Sequence, residues 1–564
     1  TTETGKLPGL FGKAVDIPAY IEDKTDPYFI GQGTENEPFL IATAEQLKKL
    51  ADMVSAGDTK YNSAQYKLAS DIDLSDYSTG DGWTPIGTEG NPFKGTFDGN
   101  NKWITGLRIN RDAHRLGLFG YIDGGTVRNI GVIDVHIYGS DNIGAVAGYV
   151  DNNGKVENCY SSGSVSANYT AGGLVGSVYN SSIVQNCYST AYVKSNYNVA
   201  GGIAGWATYN SMVRNCYSSG DVRGNSVVGG VVGVLRYNSR VEYCYSTGSV
   251  SGNGEAGGVV GKIAYFGAVE NCAALNSFVS GKSNVGRVVG VYDTVNLSDN
   301  IAFSGLKVLL NGSDKTMDEG HDKVDGKSAT TSEIKAVGFF EMLFENSAAW
   351  EYGEGRLPAL QGLQGQDSAI PFHINGFEGI GDSNDPYLIK TAADLARLAE
   401  LVNAGTSPYA DGNKYYKLES DIDLSAYGKT YREGKGWVPI GTSSRPFKGH
   451  FDGSGKEIRG LYINDSSLNY AGLFGYIAGG SVRDLGLIKV NITGLSYVGV
   501  LAGFTTGTVE DCYATGSVSG NNDYVGGLIG YLDSNGEVAK CYVTGTVNGN
   551  ASVGGLVAYV KSGS

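Results

Sequence analysis

Six aspartates are the residues best placed to do chemistry: Asp71, Asp73 and Asp98, and later in the chain Asp421, Asp423 and Asp452. Carboxylates gathered on neighbouring strands can hold calcium or act as acid and base on a polysaccharide. The two sets stand in matching text, however. Tyr66-Lys67-Leu68-Ala69-Ser70-Asp71-Ile72-Asp73 answers Tyr416-Lys417-Leu418-Glu419-Ser420-Asp421-Ile422-Asp423, and Phe97-Asp98-Gly99 answers Phe451-Asp452-Gly453. A group kept in both copies of a strand-and-turn phrase reads first as a cap on turn amides, with calcium and acid/base roles as alternatives.

Thiols are the second candidate. Cys159, Cys187, Cys216, Cys244 and Cys272 recur every 28 or 29 residues, and Cys512 and Cys541 are again 29 apart. No C-x-x-C or Cys/His spacing for zinc occurs, and the five histidines, 114, 136, 321, 373 and 450, are scattered. The cysteines therefore read as free thiols in a core, behaving as small hydrophobes. No metal or other cofactor is expected.

What must position these groups is a repeat. Val156-Glu157-Asn158-Cys159-Tyr160 returns as Val184-Gln185-Asn186-Cys187-Tyr188, Val213-Arg214-Asn215-Cys216-Tyr217 and Val241-Glu242-Tyr243-Cys244-Tyr245. Between copies lies a glycine phrase, such as Gly172-Gly173-Leu174-Val175-Gly176 and Gly201-Gly202-Ile203-Ala204-Gly205. The segments are β-prone with no helical period, and one supersecondary unit per period must stack on its neighbours to bury an apolar face. The fold class is therefore all-β, a parallel β-helix (β-solenoid) of ~28-residue rungs, with like residues in columns about 4.8 Å apart.

By strand alternation, Cys and Val point inward and Tyr160, Tyr188, Tyr217 and Tyr245 point outward. This tyrosine stripe is the candidate ligand-binding surface, with plain sheet stabilisation as the alternative. Asn180, Asn210 and Asn238, each after a tyrosine at a turn, are candidates for stacked amides. The column Glu157, Gln185, Arg214, Glu242, Glu270 reads as a solvated face.

A longer duplication, 37–154 against 386–508, makes two tandem units, each opened by an amphipathic capping helix with N-cap signals at Thr43 and Thr391 and stops at Gly57 and Gly405. The expected domains are 1–26, the tail of a preceding unit and a linker; 27–300, the first solenoid; 301–366, a closing segment with a short helix and linker; and 367–564, a second, truncated solenoid. Gly5-Lys6-Leu7-Pro8-Gly9-Leu10 resembles Gly355-Arg356-Leu357-Pro358-Ala359-Leu360, and Ile17-Pro18 resembles Ile370-Pro371, so the chain is expected to be a piece of a longer tandem array. The closing segment holds the one unrepeated polar patch, Asp314, Asp318, Glu319, His321 and Asp322, which reads as a surface loop.

A net charge of −15 argues against nucleic acid and anionic membranes as partners, and no apolar run is long enough to span a bilayer. The alternating glycine phrase and Asn-Cys-Tyr-Ser phrase, over about 116–290 and 471–557, resemble the GLUG motif of bacterial surface proteins. That resemblance implies a secreted or wall-associated β-solenoid, as in adhesin-like proteins and in non-catalytic regions of immunoglobulin A-specific metallopeptidases. It implies no catalytic residue set, and H-E-x-x-H is absent. The function expected is a non-enzymatic extracellular array, a stalk or adhesin binding a glycan or a host or cell-surface protein. The alternative is a polysaccharide lyase or glycoside hydrolase with a groove along the coil.

Overall fold

The computed structural model describes residues 26–562 apart from 294 and 337, together with the short strands Lys6–Leu7 and Val15–Asp16. The chain divides into two compact units, residues 1–374 and 375–564.

Unit 1 is a parallel coil. Val156 lies beside Val184, which lies beside Val213, then Val241 and Val269, and Cys187 is in register with Cys216. Two further ladders of seven strands each complete the rungs: one through Thr170–Gly172 and Val199–Gly201, the other through Val175–Val178 and Ala204–Ala207. The interior is filled by Val, Leu, Ile and Cys columns that are fully buried.

Two backbone devices turn the strand at fixed places. The residue before each cysteine is left-handed: Asn158 (φ 52°), Asn186 (53°), Asn215 (48°) and Tyr243 (53°). Asparagine tolerates this region better than most residues, which accounts for its recurrence there. Where the two seven-strand ladders meet, the chain folds sharply at the glycine phrase. A side chain on Gly201 would lie 2.0 Å from the Ala204 carbonyl oxygen, so that position must stay bare.

The stack continues past residue 300. Ile301–Phe303 pairs with Ala273–Ala274, Lys307–Leu310 pairs with Phe278–Gly281, and Lys327–Ala329 pairs with Ile301–Phe303. Beyond it, residues 331–366 fold back over the coil, beginning with the helix Thr331–Lys335, whose Thr330 and Glu333 form a capping box. Asp314, Asp318, Glu319, His321 and Asp322 are exposed, as a surface loop requires. The base of that loop is nevertheless buried. The Arg287 guanidinium, 1% exposed, donates to the backbone oxygens of Asp325 and Gly326, and the Asp325 carboxylate takes Lys315 Nζ at 2.6 Å.

Of residues 1–26, expected to be the tail of an earlier unit, only Lys6–Leu7, Val15–Asp16 and Asp26 fall among the described residues. Lys6 pairs antiparallel with Asp16, and the matching residues Arg356 and Ala369 make the same antiparallel bridge.

Unit 2 repeats the scheme. Val482 stacks on Val509 and Val538, and Ile492 on Val518 and Val547. Each unit carries one helix near its start, Ala44–Ser55 and Ala392–Ala404, capped by Thr43 and Thr391, with Leu47, Leu50 and Val54, and Leu395, Leu398 and Val402, buried. Trp83 and Trp437 are buried in their own units, with indole N–H groups donating to Leu118 and Leu473 carbonyls, each at 3.2 Å.

Candidate functional site

The tyrosine column exists with the expected register. Ring centroids of Tyr160, Tyr188, Tyr217 and Tyr245 are 5.0, 5.0 and 4.9 Å apart with interplanar angles of 3°, 4° and 1°. Neighbouring strands impose this spacing. It has a chemical consequence: each ring's faces are covered by its neighbours, so the column offers edges and hydroxyls rather than faces on which a sugar could stack.

The expected exposure is corrected by the structure. Tyr160 is partly buried, but Tyr188, Tyr217 and Tyr245 are 2%, 2% and 1% exposed. The returning chain of unit 1 lies over them. Trp350 packs 6.3 Å from Tyr217 and 5.7 Å from Tyr245, Phe344 backs Trp350 at 5.1 Å, and Tyr188 and Tyr245 donate to the carbonyls of Gln364 and Pro358. Burial, reinforced by the neighbouring phenols and for Tyr217 and Tyr245 by Asp367, pushes these hydroxyls up from the ordinary tyrosine value.

Other aromatic columns do reach solvent. In unit 1, Tyr121, Tyr149, Tyr179, Tyr209, Tyr237 and Tyr265 form a second column at 4.6–6.0 Å, with Tyr209 and Tyr265 exposed. In unit 2 two columns face each other across the glycine fold. Tyr470, Tyr497 and Tyr524 stack at 4.8 and 4.9 Å; Tyr476, Phe504, Tyr531 and Tyr559 stack at 4.3, 5.0 and 4.9 Å. Rings touch across the fold, Tyr470 to Tyr476 at 5.5 Å and Tyr524 to Tyr531 at 5.3 Å. The signal for these columns is a recurrence every 27 to 30 residues, close to the cysteine period, carried by single aromatic residues outside the cysteine phrase.

The amide ladder also sits elsewhere than expected. Asn180 donates to Asp151 at 2.8 Å, and Asn210 and Asn238 show no bond to each other among the described residues. Those positions are consecutive left-handed residues of a tight turn, Tyr209–Asn210 and Tyr237–Asn238, which is what selects asparagine there. The bonded ladder is the column before the cysteines. Asn215 donates to Asn186 at 3.1 Å, Asn186 to Asn158 at 3.1 Å, Asn158 to Asn129 at 3.0 Å, and Asn129 to the Asp98 carboxylate at 3.0 Å. The solvated column is partly linked as well, Gln185 donating to Glu157 and Arg214 to Gln185.

The aspartates are engaged by their own turns or by the next rung, alike in both units. Asp71 accepts from the Trp103 N–H at 3.1 Å and Asp421 from the Glu457 N–H at 2.9 Å; Asp73 and Asp423 accept from Ser75 and Ser425 N–H, each at 2.9 Å. Asp98 takes Asn100 N–H and Arg128, and Asp452 takes Ser454 N–H and Arg483. No group of three or more His, Cys, Asp or Glu among the described residues could hold a metal ion. All seven cysteines are free, and burial pushes the Cys187 and Cys244 thiols well up. No helix of the described residues is long and apolar enough to cross a membrane.

Comparison with known proteins agrees with this geometry. The GLUG motif matches residues 139–166, 167–194, 196–223, 224–251, 494–519 and 521–548. A protein of Evansella cellulosilytica described as a Gly-rich membrane protein is 41% identical over 110 residues, 19% of this chain and 12% of that protein. Halomucin of Haloquadratum walsbyi is 35% identical over 130 residues, 22% of this chain and 1% of halomucin. The matched stretches thus span only a small part of either relative. Among solved structures, a candidate immunoglobulin A1 protease from Bacteroides ovatus is 25% identical with a TM-score of 0.43, covering 59% of this chain and 94% of that one. An IgA1 protease is 15% identical with a TM-score of 0.39, covering 64% of this chain and 27% of that one. Likenesses at these scores say nothing of activity. The rungs within 139–251 and 494–548 carry the cysteine, tyrosine and glycine columns that the matched text spells out, and these stretches are GLUG-motif repeats.

Proposed function

We propose that this chain is a non-enzymatic stretch of a surface-displayed or secreted array, a stalk or adhesin whose outward columns meet a glycan or a cell-surface protein. The observation that carries this reading is the fate of the carboxylates. The six aspartates best suited to chemistry occupy equivalent places in both units and accept from equivalent backbone amides. A role duplicated down to its hydrogen bonds is a role in the fold. The names of the relatives, a Gly-rich membrane protein and halomucin, support this reading of display outside the cell.

Exposed tyrosines are the groups that would make the contact, because Tyr offers area and a hydroxyl at small entropic cost. The test is an immobilised glycan and surface-protein array probed with the whole chain, alongside assays for reducing ends and unsaturated products on polysaccharides. Saturable binding without turnover is the expected result. Release of product at enzyme-like rates would replace this reading with the lyase or hydrolase.

A further inference from the structure

The returning segment of unit 1 covers the tyrosine column without filling all the space beside it. Between the coil and residues 357–373 lies a cleft of about 510 Å³, within the size range of small-molecule sites. Its polar wall includes Tyr217, Ser219, Asp221, Thr247, Ser249 and Asp367.

Two of these side chains have hydroxyls left without a partner although the residues are more than nine-tenths buried. Tyr188 and Tyr245 each donate to a carbonyl of the covering segment, but no partner among the described residues reaches the hydroxyl of Tyr217, which is 2% exposed. Thr247, 8% exposed, is in the same position on the next rung. Neither hydroxyl is fully enclosed: each opens on to the cleft, where water or a ligand group can pair with it.

Facing them are two carboxylates with fixed orientation. Asp221 accepts through Oδ1 from both the N–H (2.9 Å) and the hydroxyl (2.6 Å) of Ser249, and Asp367 accepts through Oδ1 from the Ala369 N–H at 2.9 Å. In each, Oδ2 has no protein donor among the described residues. The imidazole in the wall, His373, has its Nε2 on the Leu275 carbonyl at 2.6 Å, and no Lys or Arg lines the cleft. The wall therefore combines acceptors that want hydroxyl or ammonium donors with hydroxyls that can give or take. An anionic ligand would meet two carboxylates and no Lys or Arg.

We infer that this cleft binds a neutral or amino pyranose, a single sugar residue of a glycan, with Asp221 and Asp367 accepting from its hydroxyls and Tyr217 and Thr247 completing the bonds. The inference rests on the glycan-binding reading above and gives it a place. It also differs from a stripe of sugar on ring faces, because here only the hydroxyl of a stacked tyrosine takes part.

The test is ligand-observed saturation-transfer NMR on the whole chain with methyl pyranosides of glucose, galactose, mannose, glucosamine and N-acetylglucosamine, and with methyl glucuronide as the anionic probe. At least one neutral or amino pyranoside should bind and glucuronide should not. Tyr217→Phe keeps the ring stack and removes only the hydroxyl; it and Asp367→Asn should each weaken binding at least tenfold with unchanged melting. Thr247→Val gives a second hydroxyl deletion should Asp367→Asn disturb the covering segment. Lys540→Ala in unit 2, at an exposed ion pair, should leave binding unchanged.

If no pyranoside binds, or if glucuronide binds best, the cleft is not this site. If a pyranoside binds equally to wild type, Tyr217→Phe, Asp367→Asn and Thr247→Val, the site lies elsewhere and this inference fails while the glycan reading survives. A glycan array without any hit would instead remove the broader reading.

Discussion

The column that follows the cysteines ends differently in the two units. In unit 1, Tyr188, Tyr217 and Tyr245 lie beneath Trp350 and the chain that returns with it. In unit 2, Tyr513 and Tyr542 stack just as flatly, 5.3 Å apart at 6°, yet Tyr542 is 57% exposed and Tyr513 turns its hydroxyl to Glu457. Stacking thus follows from the rung, whereas access follows from the chain that lies over it, in unit 1 the segment that carries Trp350, Pro358 and Gln364.

The column before the cysteines makes a second contrast. Asn129, Asn158, Asn186 and Asn215 bond in series in unit 1, while the equivalent places in unit 2 hold Asp484, Asp511 and Lys540, also left-handed. Ionised carboxylates cannot donate to one another. In unit 2 Lys540 instead makes cross-rung ion pairs with Glu510 at 2.8 Å and Asp511 at 3.7 Å, which are exposed and contribute little.

The largest effect should come from breaking the anchor at the closing end of unit 1. Asp325→Ala leaves Lys315 Nζ and the buried backbone N–H of Arg287 without their carboxylate partner, and should cost about 3–5 kcal/mol of unit 1 stability in denaturant unfolding. Trp350→Ala should cost about 3–5 kcal/mol and open the phenols beneath it to nitration. Unchanged nitration of Tyr217 and Tyr245 would mean that Trp350 does not hold the cover.

Alkaline pH should separate the columns next. A phenol whose folded pKa is raised stabilises the fold fully below the unfolded value near 10 and loses that contribution as pH rises through the folded value. Tyr513 is pushed up to about 12 by its bond to the Glu457 carboxylate and then by burial. Tyr188, Tyr217 and Tyr245 are pushed up mainly by burial. Absorbance at the phenolate band should therefore show late, cooperative ionisation of Tyr188, Tyr217 and Tyr245 that coincides with unfolding of unit 1. A single smooth titration near the ordinary tyrosine value would erase the distinction.

The smallest effects test the columns before the cysteines and should have opposite signs. Asn186→Asp interrupts a bonded series and should destabilise unit 1 by about 1 kcal/mol, whereas Asp484→Asn with Asp511→Asn lets a series form and should stabilise unit 2 by roughly 0.5–1 kcal/mol. Thermal melts of the three variants check this. Equal signs would show that the amide series adds nothing beyond turn geometry.

Rung period, register and inward cysteines were all readable in the text, because one residue per coil must occupy one column wherever strands lie parallel. Two things were not. The cover on Tyr188–Tyr245 depends on where Trp350 lands, a contact more than a hundred residues away in sequence with no periodic trace. The placing of the amide series depended on backbone sign. Asn before cysteine and Asn in the turn look alike as letters, but a lone left-handed residue in a strand projects its amide along the axis, while two in succession close a hairpin-like bend. The cleft beside the covering segment had no trace in the text, because Asp221, Thr247 and Asp367 carry no signal until the returning segment brings Asp367 to the coil.

The amide series has a direction. Every member donates toward the start of the chain, the last donor meets the Asp98 carboxylate, and at the far end Ser347 approaches Asn215 Oδ1 at 3.4 Å. Its two ends are supplied by residues outside the repeat, and its middle by one asparagine per turn of the coil. Whole turns could be gained or lost between those terminators with the bonding scheme intact, each changing the reach by about 4.8 Å. Length is thus free to drift under selection, while both fittings stay the same.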